Sequence, residues 1–225
     1  KDSATIFAWW PGSEGLRQIA GLREQIEVEW RSEVVINEAG EIAGQLRNKE
    51  TELFFWSPTE PTTIKYLGAD KHFNPFKRFD ISNDGQVVFT RFSGRDRAML
   101  WSARTGTSKE LGVINDSDLM NSAGLSISPS GRYVVGAAGY GAFIWSEADG
   151  MKRLPRDVAY AVGVNDQGDV IGNDHLDSGE GKFRALVWLA RNNHEVQFLE
   201  VDGKTEGTVA RAINNAGQIV GTFND

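Results

Sequence analysis

A short apolar segment ending in Trp returns five times along the chain: Ile6-Phe7-Ala8-Trp9, Leu53-Phe54-Phe55-Trp56, Ala98-Met99-Leu100-Trp101, Ala142-Phe143-Ile144-Trp145 and Ala185-Leu186-Val187-Trp188. Between these returns lies a second recurring pattern, a polar turn closed by glycine: Ile36-Asn37-Glu38-Ala39-Gly40, Ile81-Ser82-Asn83-Asp84-Gly85, Ile127-Ser128-Pro129-Ser130-Gly131, Val164-Asn165-Asp166-Gln167-Gly168 and Ile213-Asn214-Asn215-Ala216-Gly217. A period of roughly 45 residues is the size of one four-stranded blade. The repeat therefore predicts an all-β chain, a five-bladed β-propeller of four-stranded antiparallel blades.

The third repeat shows the grammar. Leu125-Ser126-Ile127-Ser128 alternates as a strand, Pro129-Ser130-Gly131 turns, and Arg132-Tyr133-Val134-Val135-Gly136 returns antiparallel. A glycine-rich link leads to the Trp segment, and after Glu147-Ala148-Asp149-Gly150 a more polar strand, Met151-Lys152-Arg153-Leu154, closes the blade. In every turn Asn or Ser can bond its own backbone two residues on, and the final glycine admits positive φ. A second glycine shortly after each turn (Gly44, Gly172 and Gly221, with Gly136 one place displaced) is expected to make room for large side chains of the neighbouring blade. One Trp per blade at a fixed place is expected to fill the gap between radial sheets. Trp10 and Trp30 fall outside that place.

The chain opens with a Trp segment and its partner strand and closes with a glycine-turn hairpin, so neither end alone makes a blade. Pairing of strands within about 5–20 with the hairpin within about 209–223 completes a fifth blade and removes the exposed edges of an open ring. The expected blades are approximately 33–68, 78–112, 123–154, 159–199 and 209–225 with 1–20, in a single domain over 1–225.

Composition narrows the function. With 24 basic against 31 acidic residues, a net charge of −7 and a pI near 5.1, there is no basic stripe to hold a phosphate backbone, and nucleic acid is excluded as a partner. No apolar run approaches the ~20 residues that cross a bilayer, and no leader is visible, although a start at Lys1 leaves an upstream segment open. Cysteine is absent, which rules out disulfides, thiolate metal sites and a Cys nucleophile.

Antiparallel blades put the glycine turns on one face of the disc and the variable links on the other. Those links carry apolar and aromatic residues in polar surroundings, the composition of a recognition surface. The candidate partner-binding residues are Trp30, His72, Phe73, Asn74, Phe76, Tyr140, Tyr160 and His175, with Ile26, Val28, Leu119 and Met120 beside them. Phe73 and Phe76 suit the propeller rim or channel equally well, and Trp30 between Glu29 and Arg31 is the foremost exposed anchor.

Catalytic readings are thinner. Glu33 and Asp80, with Arg78 and Arg211 nearby, are the inner-strand carboxylates that a glycan hydrolase of this architecture would need; a salt-bridged channel lining is the simpler reading. His72, His175 and His194 lack metal-ligand spacing, and no serine has a nucleophile-elbow context. Asn115-Asp116-Ser117-Asp118 and Asn173-Asp174-His175-Leu176-Asp177 lack the full calcium-loop pattern. The expectation is a non-catalytic module with no cofactor and no metal, presenting an asymmetric loop face to a protein or glycan partner; a lectin-like propeller and a channel hydrolase are the alternatives. Oligomeric state is not assigned.

Gly141-Ala142-Phe143-Ile144-Trp145 and Ile213-Asn214-Asn215-Ala216-Gly217-Gln218-Ile219-Val220-Gly221, with Leu67-Gly68 and Leu111-Gly112, resemble the units of the HAF-type extracellular repeat family over nearly the whole chain. The family's namesake His is replaced by Thr5, Glu52, Arg97, Gly141 and Arg184. The resemblance implies a bacterial, exported propeller-like repeat (periplasmic, cell-surface or secreted) without an established catalytic motif.

Overall fold

The computed structural model describes residues 6–9, 15, 17–19, 34–47, 51–67, 78–114, 121–175 and 183–224. Four antiparallel four-stranded sheets follow one another along the chain. The first blade is β3 (Val34–Ile36), β4 (Ile42–Arg47), β5 (Thr51–Trp56) and β6 (Ile64–Tyr66); the second is β7 (Asp80–Ile81), β8 (Gln86–Phe92), β9 (Asp96–Ser102) and β10 (Thr107–Glu110). The third is β11 (Ser122–Ile127), β12 (Val134–Ala138), β13 (Gly141–Ser146) and β14 (Gly150–Asp157); the fourth is β15 (Ala159–Val164), β16 (Val170–His175), β17 (Phe183–Trp188) and β18 (Val196–Phe198). Two-stranded sheets stand at the ends, β1 (Phe7–Ala8) with β2 (Arg17–Gln18), and β19 (Thr208–Ile213) with β20 (Ile219–Phe223). The first strand of each full blade touches the first strand of the next, so the sheets are arrayed radially.

The Trp register is constant. Trp56, Trp101, Trp145 and Trp188 lie opposite Ile42, Val87, Val134 and Val170 on the second strand of their own blade. Each buries its ring against the preceding blade. Trp101 meets Phe55 at 5.0 Å between centroids, Trp145 joins Val88 and Leu100, and Trp188 joins Val135 and Leu154 while its indole N–H donates to Pro155 O (2.8 Å).

The second glycine works differently from the expectation. Gly44 and Gly136 lie opposite Phe54 and Phe143 of their own blade; a Cβ at Gly44 would run into the Phe54 ring, and one at Gly136 into the Ala123 carbonyl of the first strand, with the Phe143 ring beside it. The room is therefore used by the first and third strands of the same blade and not by a neighbouring blade. Pairing also removes the displacement of Gly136, because the third turn, with Ser128 N–H donating to Tyr133 O, is one residue longer than the first, with Asn37 N–H donating to Glu41 O.

The glycine turns bond to one another around the disc. Asn37 Nδ2 donates to Ser82 O (2.8 Å), and Asn83 N–H donates to Pro129 O (2.7 Å). Ser130 N–H donates to Asp166 Oδ1 (2.8 Å), and Asp166 N–H in turn donates to Asn215 Oδ1 (2.9 Å). The turn sequence thus specifies both a hairpin and a belt between blades.

Among the described residues the expected pairing of the two ends is not made. Each half-sheet is held by its neighbour: Ala8 and Ile19 pack on Ile42, Phe54 and Trp56 of the first blade, and Ala210 packs with Val162, Ile171 and Val187 of the fourth. Nothing in those contacts joins β1 to β20, and the sheets remain separate. The equivalents of buried residues are left bare: Trp9 is 57% exposed where Trp101 is 2%, and Val220 is 62% exposed where Val135 is fully buried.

Close packing at the second glycine makes Gly172→Ala a direct check. A Cβ there would sit 2.5 Å from Tyr160 O and 2.6 Å from the Trp188 ring, so urea unfolding should show a loss of about 1–3 kcal/mol. An unchanged midpoint would contradict the packing.

Candidate binding face

Strand direction decides which residues share a face. β12 leaves the Ser128–Gly131 turn and ends at Ala138, so the hairpin carrying Tyr140 lies at the opposite end of the blade. By the same reasoning Val158, at the entry of β15, His175, at the exit of β16, and Phe183, at the entry of β17, all lie at that end. Backbone bonds tie them together: Val158 N–H donates to Tyr140 O (2.6 Å) and His175 N–H donates to Val158 O (3.5 Å). The rings of His175 and Tyr160 both meet Phe183 edge to face, at 5.2 and 6.4 Å.

Three of the eight candidate residues, Tyr140, Tyr160 and His175, are thereby brought to one place. Tyr140 is 78% exposed and Val158 45%, whereas Tyr160 is half-buried. Burial pushes the Tyr160 hydroxyl pKa up, while Arg211, a hydrogen bond with Asn173 and Arg78 pull it down. Trp30, His72, Phe73, Asn74 and Phe76 lie outside the described residues, as do Trp10, Ile26, Val28, Glu33, Leu119, Met120 and the segment 115–118.

Two of the five described non-glycine residues with positive φ stand at the same spot. Arg156 has φ 91° and Val158 has φ 58°, a conformation that is costly for any residue with a Cβ and most of all for a β-branched one. The strain turns the chain so that Arg156 reaches Asp174 (Nε 3.0 Å, Nη2 2.6 Å) and Val158 faces solvent. Sequence reasoning missed Val158, Phe183, Arg156, Asp174 and Arg184 as parts of one site. The available signal was departure from the repeat: after Leu154, Pro155 stands in place of the glycine of the Leu-Gly stop and Arg156-Asp157 follow it, and Arg184 stands where the resembled family has its namesake His.

The channel carboxylate serves another purpose. Asp80 Oδ2 accepts from Ser126 Oγ (2.7 Å) and Ile127 N–H (3.2 Å), and Oδ1 accepts from Ile81 N–H (2.9 Å). It staples the second blade to the third. Pairing aligns Asp80 with Val35, since these face Val88 and Ala43, so Glu33 is not its counterpart. Among the described residues the equivalent positions offer Val35, Ser126, Gly163 and Ala212, and no second carboxylate. Among the described residues no cluster of His, Asp or Glu has the arrangement to hold a metal ion, and no helix is long and apolar enough to cross a membrane.

On the turn face, a cleft of about 880 Å³ opens between the second and third blades. Gln86, Arg104, Arg132, Tyr133, Trp145 and Glu147 line it, with Lys109 Nζ 4.6 Å from the Trp145 ring centre and ion-paired to Glu147.

Comparison with solved structures identifies the architecture. The chain is similar to TolB from Acinetobacter baumannii (16% identity, TM-score 0.54, covering 88% of this chain and 51% of that one). It is also similar to a putative TolB from Agrobacterium tumefaciens (12%, 0.58, 87% and 80%). A third likeness is to the β-propeller domain of the Trilobed protease from Pyrococcus furiosus, described as having an open velcro topology (13%, 0.56, 94% and 65%). The chain thus spans about half the length of the first of these. At such identities the likeness shows the fold alone, a β-propeller. No protein-family model matches the chain, and no curated protein matches it.

Asp80 supplies a pH test. Burial raises its pKa above the usual aspartate value, against the hydrogen bonds from Ser126, Ile127 and Ile81 and the attraction of Arg78. A carboxyl that keeps its proton to higher pH when folded favours folding below the unfolded value and loses that contribution as pH rises through the folded one. As pH rises from about 4, the ordinary aspartate value, Asp80→Asn should therefore lose less stability than the wild type, read from urea midpoints. Parallel pH profiles would contradict the assignment.

Proposed function

We propose that the domain is a non-catalytic binding module that presents its loop face to a macromolecular partner. The observation that carries this reading is the exposed patch of Tyr140 and Val158 buttressed by His175 and Phe183. Apolar side chains held in the open on strained backbone cost stability, and a partner that covers them recovers it. The three lines of Asp80 hydrogen bonds argue against a channel hydrolase. Export from a bacterium, and membership of the HAF-type repeats, rest on the motif resemblance and belong to this proposal.

A lectin-like reading is favoured by one separate observation, the cleft on the turn face. Its Tyr133 and Trp145 rings beside Gln86, Arg104 and Arg132 offer the mixture of apolar surface and hydrogen-bonding groups that a sugar needs.

The same proposal includes closure of the ring as a fifth blade. The register that places Ile42 opposite Trp56 and Val170 opposite Trp188 would place Ile219 opposite Trp9, Val220 opposite Ala8 and Gly221 opposite Phe7. Trp9 would then pack towards Leu199, which ends the fourth blade as Leu154 ends the third. Ile36, 61% exposed on the first blade where Ile81 and Ile127 are buried, would gain the covering that its counterparts have. Asn214 Nδ2, already bonded to Gln218 Oε1 as Asn37 Nδ2 is to Glu41 Oε2, would continue the belt to the first turn.

The two binding readings separate cleanly. A ligand found by pull-down or glycan array should bind Tyr140→Ala at least about tenfold more weakly and Tyr133→Ala normally. Loss with Tyr133→Ala alone supports the sugar cleft and contradicts the loop face.

A further inference from the structure

Two guanidiniums converge on one carboxylate next to Val158. Asp174 is fully enclosed, and its Oδ2 accepts from Arg156 Nε and Nη2 and from Arg184 Nη2 (2.6 Å). Its Oδ1 and the Arg184 Nε are buried with no hydrogen-bond partner. Both guanidiniums also lie over the Phe198 ring, at 5.3 and 4.6 Å from its centre, which holds them in place without neutralising them. The neighbouring exposed carboxylate, Asp157, pairs with Arg153 (3.2 Å). Among the described residues, then, this pair of cations is ion-paired to a single carboxylate, with Glu206 across a backbone bridge from Arg184, in a chain whose net charge is −7.

An excess positive charge in a partly desolvated position is unfavourable until an anion joins it. Both arginines keep part of their side chains in solvent, at 34% and 23%, so an incoming group can reach them. Planar forks already fixed by Asp174 and Phe198 lose little freedom when they bind a second carboxylate. We infer that Arg156 and Arg184 receive a carboxylate from an acidic polypeptide segment, whose adjoining apolar side chain covers Tyr140 and Val158. This deepens the loop-face reading and rests on it. A polypeptide suits the site better than an acidic polysaccharide. His175 and Phe183 meet edge to face and so are not a flat platform for a pyranose, and the free apolar surface includes an aliphatic side chain. Tyr and Arg together are the usual anchors of protein interfaces.

The test is fluorescence anisotropy with a labelled peptide of alternating Glu and Leu and its counterpart of alternating Gln and Leu. Wild-type protein should bind the Glu peptide at least about tenfold more tightly, a contrast that needs no mutant to fold. Arg156→Gln should weaken the Glu peptide at least about fivefold, and Arg153→Gln less than about twofold, because its guanidinium is already paired with Asp157. Equal binding of the two peptides, or no binding of either, overturns the carboxylate assignment. Displacement of the peptide by polygalacturonate at a lower carboxylate concentration overturns the choice of a polypeptide. If Tyr140→Ala weakens the Glu peptide and Arg156→Gln does not, the loop face stands and the role of the arginines falls. If neither variant weakens it, both fall.

Discussion

Everything in this fold depends on one packing event repeated from blade to blade: a Trp on the third strand of a blade fills the gap left by the blade before it. Burying some 150–250 Å² per Trp is worth on the order of 4 kcal/mol at the usual coefficient, comparable with a large share of a whole domain's net stability. The hydrogen-bonded belt of turns adds direction to that packing. The Trp fixes how closely blades approach, and the belt, from Asn37 through Asn83, Ser130 and Asp166 to Asn215, fixes how they are aligned. Partial burial acts against the ionised form of Asp166, but the hydrogen bonds from Ser130 and Asn215 prevail and hold its pKa below the usual value. Its contribution is therefore present at neutral pH and fades on acidification.

Rigid blades are what permit strain at the loop face. Val158 keeps an unfavourable φ because Tyr140 O and His175 N–H hold it on two sides, and β14 and β15 on either side of it belong to two packed sheets. The cost of exposing Tyr140 and half-neutralising two arginines is carried by the core beneath. A loop without that scaffold would relax and bury them.

Much of the scaffold was legible in the sequence because local chemistry set it. Asn or Ser followed by a closing Gly gives a hairpin wherever it occurs, and a Trp returning at a similar interval marks the constant register of the third strand. Relations between blades were less legible. Glu33 was matched with Asp80 by position along the repeat, but pairing aligns Asp80 with Val35; the second glycine was assigned to the neighbouring blade although Gly44 faces its own Phe54. The Asp174 cluster was invisible for a stronger reason. It gathers Arg156, Asp174, Arg184 and Phe198 from four strands of two blades, and no local pattern reports that convergence. Tyr140 and His175 stand out in the sequence because an aromatic in or beside a glycine-rich or polar link breaks the repeat by itself.

The two end sheets bring the central claim to a single point, since the inter-blade packing is complete only if Trp9 and Val220 are covered as their counterparts are. The chain has no native cysteine, so Ala8→Cys with Val220→Cys reports that junction without interference. If β1 and β20 pair in the register of the other blades, the double variant should oxidise to an intramolecular disulfide under mild conditions, at monomer mass and with a raised melting temperature. Thiols that stay reduced, or that join only between molecules, would contradict the closed ring.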